Sequence, residues 1–204
     1  MFSPLGQRLE RGWPGRIDGD RVVQLAAQTL QAFLVAGGRA REHANFALAD
    51  VRLLAPVLHP PAVRIFDAPD RFEFANPAAI AGPEATVQAS GPVEVLARVA
   101  AVLGAEGAIG GFTLFADCRA PALDPPKDRD FALLSGPFVV TSDEAPAGDF
   151  DWPAAVALAA RGTLLRPGDL IAAPAHDVLR PRGPFELAVE GLGILRGTVA
   201  ADGA

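Results

Sequence analysis

Charged side chains are most concentrated between residues 117 and 130, where they occupy seven of fourteen positions. Two apolar segments with strand character flank this run, Phe112–Phe115 and Phe138–Thr141. Prolines inside the run are typical of a loop. Because binding and catalytic groups often sit on loops held by rigid strands, we expect this loop to carry a functional site. Its charged residues are Asp117, Arg119, Asp124, Lys127, Asp128, Arg129 and Asp130.

The elements that position this loop are predicted from apolar spacing. Glu94–Leu103 (EVLARVAAVL) has apolar residues in both alternating sets, which predicts a strand buried on both faces. Residues 21–37 show helical spacing and predict a helix, with Asp20 as its N-cap and a Gly-Gly pair at its end. Residues 152–161 predict a short helix with Pro153 in its first turn.

The many turn-forming residues indicate the fold class. The chain has 21 glycines and 19 prolines, and the segments Thr163–Ala173 and Phe185–Val199 alternate around glycine turns, which predicts further strands. We therefore predict a β-rich α+β protein. Prolines at positions 56, 60 and 61 mark a boundary between a small N-terminal α/β subdomain, residues 1–57, and a larger β domain, residues 58–204.

Composition excludes several functional classes. A net charge of −6 argues against a nucleic-acid surface. No apolar run approaches the ~20 residues that span a bilayer, so no membrane association is expected. A lone cysteine, Cys118, cannot form a disulfide within the chain and predicts a cytoplasmic location. Strand alternation points its thiol away from Asp117 and Arg119, so we expect it to be buried and inert.

Three blocks of the sequence resemble the fumarylacetoacetate hydrolase superfamily, in that family's order and over most of the chain after residue 60. The central block has a strand leading to an Asp and an Arg, a Lys-containing loop, and a Gly-Pro before a strand that ends in Thr. The corresponding residues are Asp117, Arg119, Lys127 or Arg129, Gly136, Pro137 and Thr141. The other two blocks are FANPAAIAGPEATV (Phe74–Val87) and TLLRPGDLI with FELAVEGLGILRGTV (Thr163–Ile171 and Phe185–Val199).

The resemblance implies a mixed β-roll or sandwich fold and cleavage of C–C bonds in 1,3-dicarbonyl or 2-oxo acid substrates. In active relatives, Mg²⁺ or Ca²⁺ is held by a Glu-x-Glu pair and an Asp, which suits these hard cations. Aligned on the glycine that follows the strand, Leu96 and Arg98 stand at the two Glu positions, and only Asp117 is retained. Leu96 has no lone pairs and Arg98 is a fixed cation, so no metal and no other cofactor are expected.

Other residues that the resemblance implies are also altered. The His and Glu of the family's lid are missing, and Glu73 is the remaining carboxylate near that place. Lys127 or Arg129 matches the active-site lysine, with solvated loop charges as the alternative. His176 is a candidate acid–base group, with an ordinary surface histidine as the alternative.

We hypothesise that the Arg98 guanidinium fills the former metal site and pairs with Asp117, since an unpaired buried charge would be costly. Arg98, Asp117 and Arg119 are then the candidate substrate-binding residues.

Two functional hypotheses follow. In the first, the protein keeps the family fold, lacks metal-dependent hydrolysis and acts as a binding or assembly subunit. Its partner would be a second copy of the chain in a homodimer, or a paralogue in a hetero-oligomer. In the second, the protein is a metal-independent C–C hydrolase, decarboxylase or isomerase of a 2-oxo acid or 1,3-dicarbonyl compound. The residues leave open whether the protein is an enzyme.

Overall fold

A computed structural model describes residues 1–7, 9, 11–145 and 148–200 of the chain. Within these residues the chain forms sixteen β-strands and two short α-helices, which confirms the predicted β-rich α+β class. Neither described helix has the length and hydrophobicity needed to cross a bilayer.

The first five strands form two small antiparallel sheets. They are β1 (Phe2–Pro4), β2 (Gly15–Asp18), β3 (Arg21–Leu25), β4 (Glu42–Ala47) and β5 (Val51–Leu53). Strand β1 pairs with β5, and β3 lies between β2 and β4. Phe2, Val22 and Val51 are the buried residues of a small core in this region.

Residues 21–37 do not form the single helix predicted from their apolar spacing. The segment begins as β3, and its helical part is α1 (Leu30–Val35). The first part of the segment forms a strand despite its helical spacing, because strand pairing buries Val22, a β-branched residue that fits a pleated surface well. Thr29 caps the helix through its side chain, whereas Asp20, predicted to be the cap, lies in the β2–β3 turn.

The remaining strands form two further sheets around helix α2 (Trp152–Ala159), which lies within the predicted helical segment. The larger sheet is mixed, with the order β7-β6-β13-β10-β11-β12-β8, and β14 pairs with one end of β10. The smaller sheet has the order β15-β16-β9. These strands are β6 (Val63–Ala68), β7 (Arg71–Ala75), β8 (Ile80–Ala81), β9 (Ala85–Val87), β10 (Glu94–Leu103), β11 (Ile109–Arg119), β12 (Leu133–Thr141), β13 (Leu170–Ala172), β14 (Asp177–Leu179), β15 (Pro184–Val189) and β16 (Gly193–Val199).

Strand β10 has the predicted bounds and is buried on both faces. Its odd-numbered residues, such as Val95, face the larger core, to which α2 contributes buried residues. Its even-numbered residues, such as Ala100, face a second core, against which Leu30 and Leu34 of α1 pack. The two short runs predicted around the charged loop lie inside β11 and β12, and the second strand begins earlier than predicted, at Leu133.

The division into residues 1–57 and 58–204 stays a prediction. In the described part of the chain, the first five strands pair only with one another. Helix α1 nevertheless packs two leucines against the core of the larger sheet, so the two regions share apolar contacts.

Candidate functional site

The register of β10 and β11 brings the three predicted substrate-binding residues to one end of the larger sheet. Leu96 lies directly opposite Asp117, and Arg98 is two residues further along the same face of β10. Arg119 is two residues beyond Asp117 on β11, so it shares that face as well. Asp67, near the end of β6, approaches them from the far side of the short strand β13.

Arg98 is fully buried and all of its guanidinium nitrogens have partners. Its Nε lies 3.2 Å from Asp117 Oδ2, and its Nη2 lies 3.1 Å from the same oxygen. Nη2 also donates to Asp67 Oδ1 at 2.6 Å. Nη1 donates to the backbone carbonyls of Phe66 and Ala173, each at 3.0 Å. The hypothesised pairing of Arg98 with Asp117 is therefore present in the structure.

Arg119 completes a closed network of charges with the same two carboxylates. Its Nε and Nη2 lie 3.1 and 3.0 Å from Asp117 Oδ2, and Nη2 lies 3.1 Å from Asp67 Oδ2. We call Asp67, Arg98, Asp117 and Arg119 the four-residue network; its two negative and two positive charges sum to zero.

Exposure divides the network into an inner and an outer half. Arg98 and Asp117 have no exposed side-chain surface, whereas 18% of Arg119 and 36% of Asp67 are exposed. Burial disfavours the charge of Asp67, but hydrogen bonds and the charges of Arg98 and Arg119 outweigh it and hold its pKa below 3.8. Burial likewise opposes the charge of Arg119, yet Asp117 and Asp67 raise its pKa above the ordinary value.

One acceptor of the network is unsatisfied. Asp117 Oδ1 is buried and has no hydrogen-bond partner among the described residues, while Oδ2 receives bonds from both arginines. A buried acceptor of this kind carries a desolvation cost unless a water or a ligand donates to it.

Lys127 and Arg129, the two candidates for the active-site lysine, lie in the loop between β11 and β12. The Lys127 side chain is 72% exposed and pairs with Asp130 at 2.8 Å. Arg129 is largely buried, and it forms ion pairs with Glu73 of β7 and with Asp128. Their described ion pairs are with carboxylates outside the four-residue network, and their catalytic role stays a prediction.

His176 is exposed and lies in the loop between β13 and β14. Its backbone N–H donates to the Ala97 carbonyl at 3.0 Å, and the Ala173 N–H donates to the Val99 carbonyl at 2.9 Å. The loop is therefore held along β10, where Ala173 can offer its carbonyl to Arg98. An acid–base role for the His176 imidazole stays a prediction.

Cys118 is buried in the larger core, on the face opposite Asp117. Burial and the nearby charge of Asp117 raise the pKa of its thiol to about 12. Because the thiolate is the reactive form, the predicted inertness agrees with this environment.

The residues at the network do not fit the Mg²⁺ or Ca²⁺ site of active relatives. Among the described residues, no three His, Cys, Asp or Glu side chains are grouped so that they could hold a metal ion. Both carboxylates of the network are bonded to arginines. Glu94, two residues before Leu96 on β10, is paired with Arg180 at 2.6 Å.

Asp67 is the member of the network that sequence reasoning missed. It contacts Arg98 and Arg119, which are 31 and 52 residues away along the chain. A signal was present, since Asp67 continues the period-two spacing of Val63 and Ile65 on the same strand. A carboxylate at that position faces the same side as the buried valine and isoleucine and needs a partner there.

Two cavities lie apart from the network. One, of about 470 Å³, lies between the N-terminal strands, α1 and β12. The other, of about 420 Å³, is lined by residues around Glu94, Arg180 and Arg182. No network residue lines either of these cavities.

No protein-family model and no curated protein matches the chain. Solved structures match it over nearly its whole length. Maleylpyruvate hydrolase from Sphingobium sp. SYK-6, in complex with manganese(II) and pyruvate, is 18% identical, with a TM-score of 0.77 over 94% of this chain and 97% of that one. An isomerase of 2-hydroxyhepta-2,4-diene-1,7-dioate from Mycobacterium marinum is 23% identical, with a TM-score of 0.73 over 94% and 93%.

A third solved structure also matches nearly the whole chain. A 2-keto-3-deoxy-D-arabinonate dehydratase, complexed with magnesium and 2,5-dioxopentanoate, is 17% identical, with a TM-score of 0.75 over 97% of this chain and 96% of that one. These three enzymes are members of the fumarylacetoacetate hydrolase superfamily. The chain therefore has the fold of that superfamily, and the resemblance found in the sequence is confirmed at the level of the fold.

Proposed function

We propose that this protein keeps the fold of the fumarylacetoacetate hydrolase superfamily without its metal-dependent C–C bond hydrolysis, and that it acts as a binding or assembly subunit. The observation that carries this proposal is the position of the Arg98 guanidinium. It is fully buried and bonded to Asp117, which the sequence resemblance aligns with a metal ligand of the family.

Electrostatics argues against a divalent cation beside this guanidinium. Two like unit charges about 4 Å apart repel by about 4 kcal/mol at the effective dielectric constant of a protein surface, and a divalent ion doubles that figure. To admit a cation, Arg98 would have to leave two carboxylates and two backbone carbonyls. Leu96, opposite Asp117, would still offer no ligand atom.

The ligand that we propose for such a subunit is based on what two structural neighbours bind. Manganese with pyruvate, and magnesium with 2,5-dioxopentanoate, are bound by two of the structural neighbours. We propose a small 2-oxo acid as the ligand here, bound without a metal. The proposed partner is a second copy of the chain or a paralogue that has kept its metal site, in the cytoplasm.

A metal-independent enzyme is the second candidate. It is favoured by the convergence of two guanidinium groups on Asp67, a carboxylate that is 36% exposed. Two fixed cations at the edge of a site can stabilise an anion that develops during a reaction, such as an enolate. Glu73 or His176 would then move protons, and Lys127 or Arg129 would contact the substrate.

Thermal stability with Mg²⁺, Mn²⁺ or Ca²⁺, combined with acylpyruvate turnover in the same samples, separates these functions. A cation that binds only the folded state raises the melting temperature by mass action. We expect no cation-dependent shift and no turnover. Turnover that a chelator leaves unchanged would favour the metal-independent enzyme. A cation-dependent shift together with turnover would overturn both.

A further inference from the structure

We infer that Asp67 occupies a carboxylate subsite formed by Arg98 and Arg119, and that the carboxylate of a small organic acid binds by taking its place. The inference rests on the proposed metal-free binding role and names how that site is closed. In this structure, the subsite is filled by the Asp67 side chain.

The contacts of Asp67 are those of a bound carboxylate. Oδ1 accepts from Arg98 Nη2 at 2.6 Å and from Arg119 Nη2 at 3.5 Å, and Oδ2 accepts from Arg119 Nη2 at 3.1 Å. The shortest bond of each oxygen is therefore to a different guanidinium group. A small carboxylic acid presents the same planar pair of oxygens, so it can make the same two charge-assisted hydrogen bonds.

Asp67 is the replaceable member of the network. Its side chain is 36% exposed, whereas Asp117 is fully buried on a central strand and receives bonds from both arginines. Asp67 also lies where the pairing of β6 with β7 shifts register, between Phe66 and Ala68. A β-bulge interrupts the regular ladder and is a common place for re-aiming a side chain.

The arginines stay in place when Asp67 moves away. Arg98 is also bonded to Asp117 and to the carbonyls of Phe66 and Ala173, and Arg119 is bonded to Asp117 through two nitrogens. Without Asp67, the remaining three charged groups sum to +1, and one monovalent carboxylate restores neutrality.

Chemical rescue tests this inference. Asp67→Ala removes the internal carboxylate, and its melting temperature is measured in formate, pyruvate or chloride at equal ionic strength. We expect Asp67→Ala to melt below wild type in chloride and to recover by on the order of 3 °C or more in formate or pyruvate, with saturation. The wild type should respond at higher concentrations only, because its own carboxylate competes. An equal response of Asp67→Ala to all three anions, or no response, would overturn the inference.

Matched variants show whether the recovery of the melting temperature depends on the proposed subsite. Asp18 pairs with Arg16 at 3.3 Å on an exposed hairpin, so Asp18→Ala should show no carboxylate-specific shift. Asp67→Asn fills the same volume without charge and should block rescue. Adding Arg119→Gln to Asp67→Ala should abolish it. If Asp67→Ala does not fold in chloride but folds in formate, that result supports the subsite. If neither Asp67→Ala nor Asp67→Ser folds in chloride or in formate, that result contradicts it.

Failure of this inference is distinguishable from failure of the proposed function. A metal-dependent rise in the melting temperature of the wild type contradicts the metal-free site, whatever Asp67→Ala does. If divalent cations do not shift the melting temperature of the wild type, and carboxylates do not shift that of Asp67→Ala, only the Asp67 subsite is contradicted.

Discussion

Asp67 holds its negative charge at lower pH than an ordinary aspartate, because Arg98 and Arg119 stabilise the carboxylate more than burial disfavours it. A carboxyl whose pKa is lower in the folded state than in the unfolded state stabilises the fold at pH values above the unfolded pKa. That stabilisation is lost as the pH falls through the folded pKa. The ordinary value is 3.8, so the loss occurs below that pH.

We therefore predict a specific pH dependence for Asp67→Asn. Its free energy of unfolding should fall below that of wild type at pH values above about 5, and the difference should shrink as the pH drops below the ordinary aspartate pKa. Urea denaturation from about pH 2 to pH 7 measures both curves. Curves that stay parallel over this range would show that Asp67 titrates as it does in the unfolded chain.

At the scale of single residues, the sequence singled out three members of the network, Arg98, Asp117 and Arg119, but not Asp67. The pairing of Arg98 with Asp117 follows from strand period and from the rule that buried charges need partners. Asp67 was missed because its contacts depend on β13 separating β6 from β10, a strand order that local spacing does not contain. The exposed positions of Lys127 and His176 likewise depend on loop geometry.

At the scale of elements, prediction succeeded where local and tertiary preferences agree. Strand β10 was predicted with its bounds because both of its faces are apolar and it ends at a glycine-rich turn. The prediction of one helix over residues 21–37 was wrong. Their apolar spacing is that of a helix, but the first part of the segment pairs with β2 and β4 and is therefore a strand. No property of that segment alone reveals the two neighbouring strands.

Strand β10 also permits a reconstruction of the metal site. Leu96→Glu with Arg98→Glu places two carboxylates on one face of β10, next to Asp117. We expect this double variant to melt below wild type without metal, because the acidic side chains repel one another, and to regain stability with Mn²⁺ or Mg²⁺.

The matched control for this reconstruction is Leu96→Gln with Arg98→Gln, which has similar volume and no added charge. It should show no response to either cation. If the two double variants respond alike, or if the carboxylate variant does not respond, then Leu96 and Arg98 do not stand at the family's ligand positions.

At the scale of the whole molecule, Arg98 joins segments that are far apart in the sequence. Its side chain bonds to Phe66 and Asp67 of β6, to Asp117 of β11 and to Ala173, just after β13. In active relatives, the resemblance implies that a cation draws the acidic residues of the site together. In this protein, the Arg98 side chain connects β6, β10 and β11 of the larger sheet through hydrogen bonds and ion pairs.

This view predicts that Arg98 is a major determinant of stability. Arg98→Met keeps much of the side-chain volume but leaves Asp117 with Arg119 as its remaining cation and frees two buried carbonyls. Breaking a buried ion pair in this way typically costs about 3–5 kcal/mol, a large share of the roughly 5–15 kcal/mol by which native proteins are stable. Urea denaturation monitored by tryptophan fluorescence measures the loss.

Two comparisons show whether that loss comes from the buried network. Arg16→Met removes an arginine that also pairs with two carboxylates, but on an exposed hairpin, so it should change stability little. Adding Asp117→Asn to Arg98→Met removes the uncompensated charge, so it should recover part of the stability lost. Similar effects of Arg98→Met and Arg16→Met would mean that the network does not hold the sheet together. In that case, stability and the proposed loss of metal binding would have separate causes.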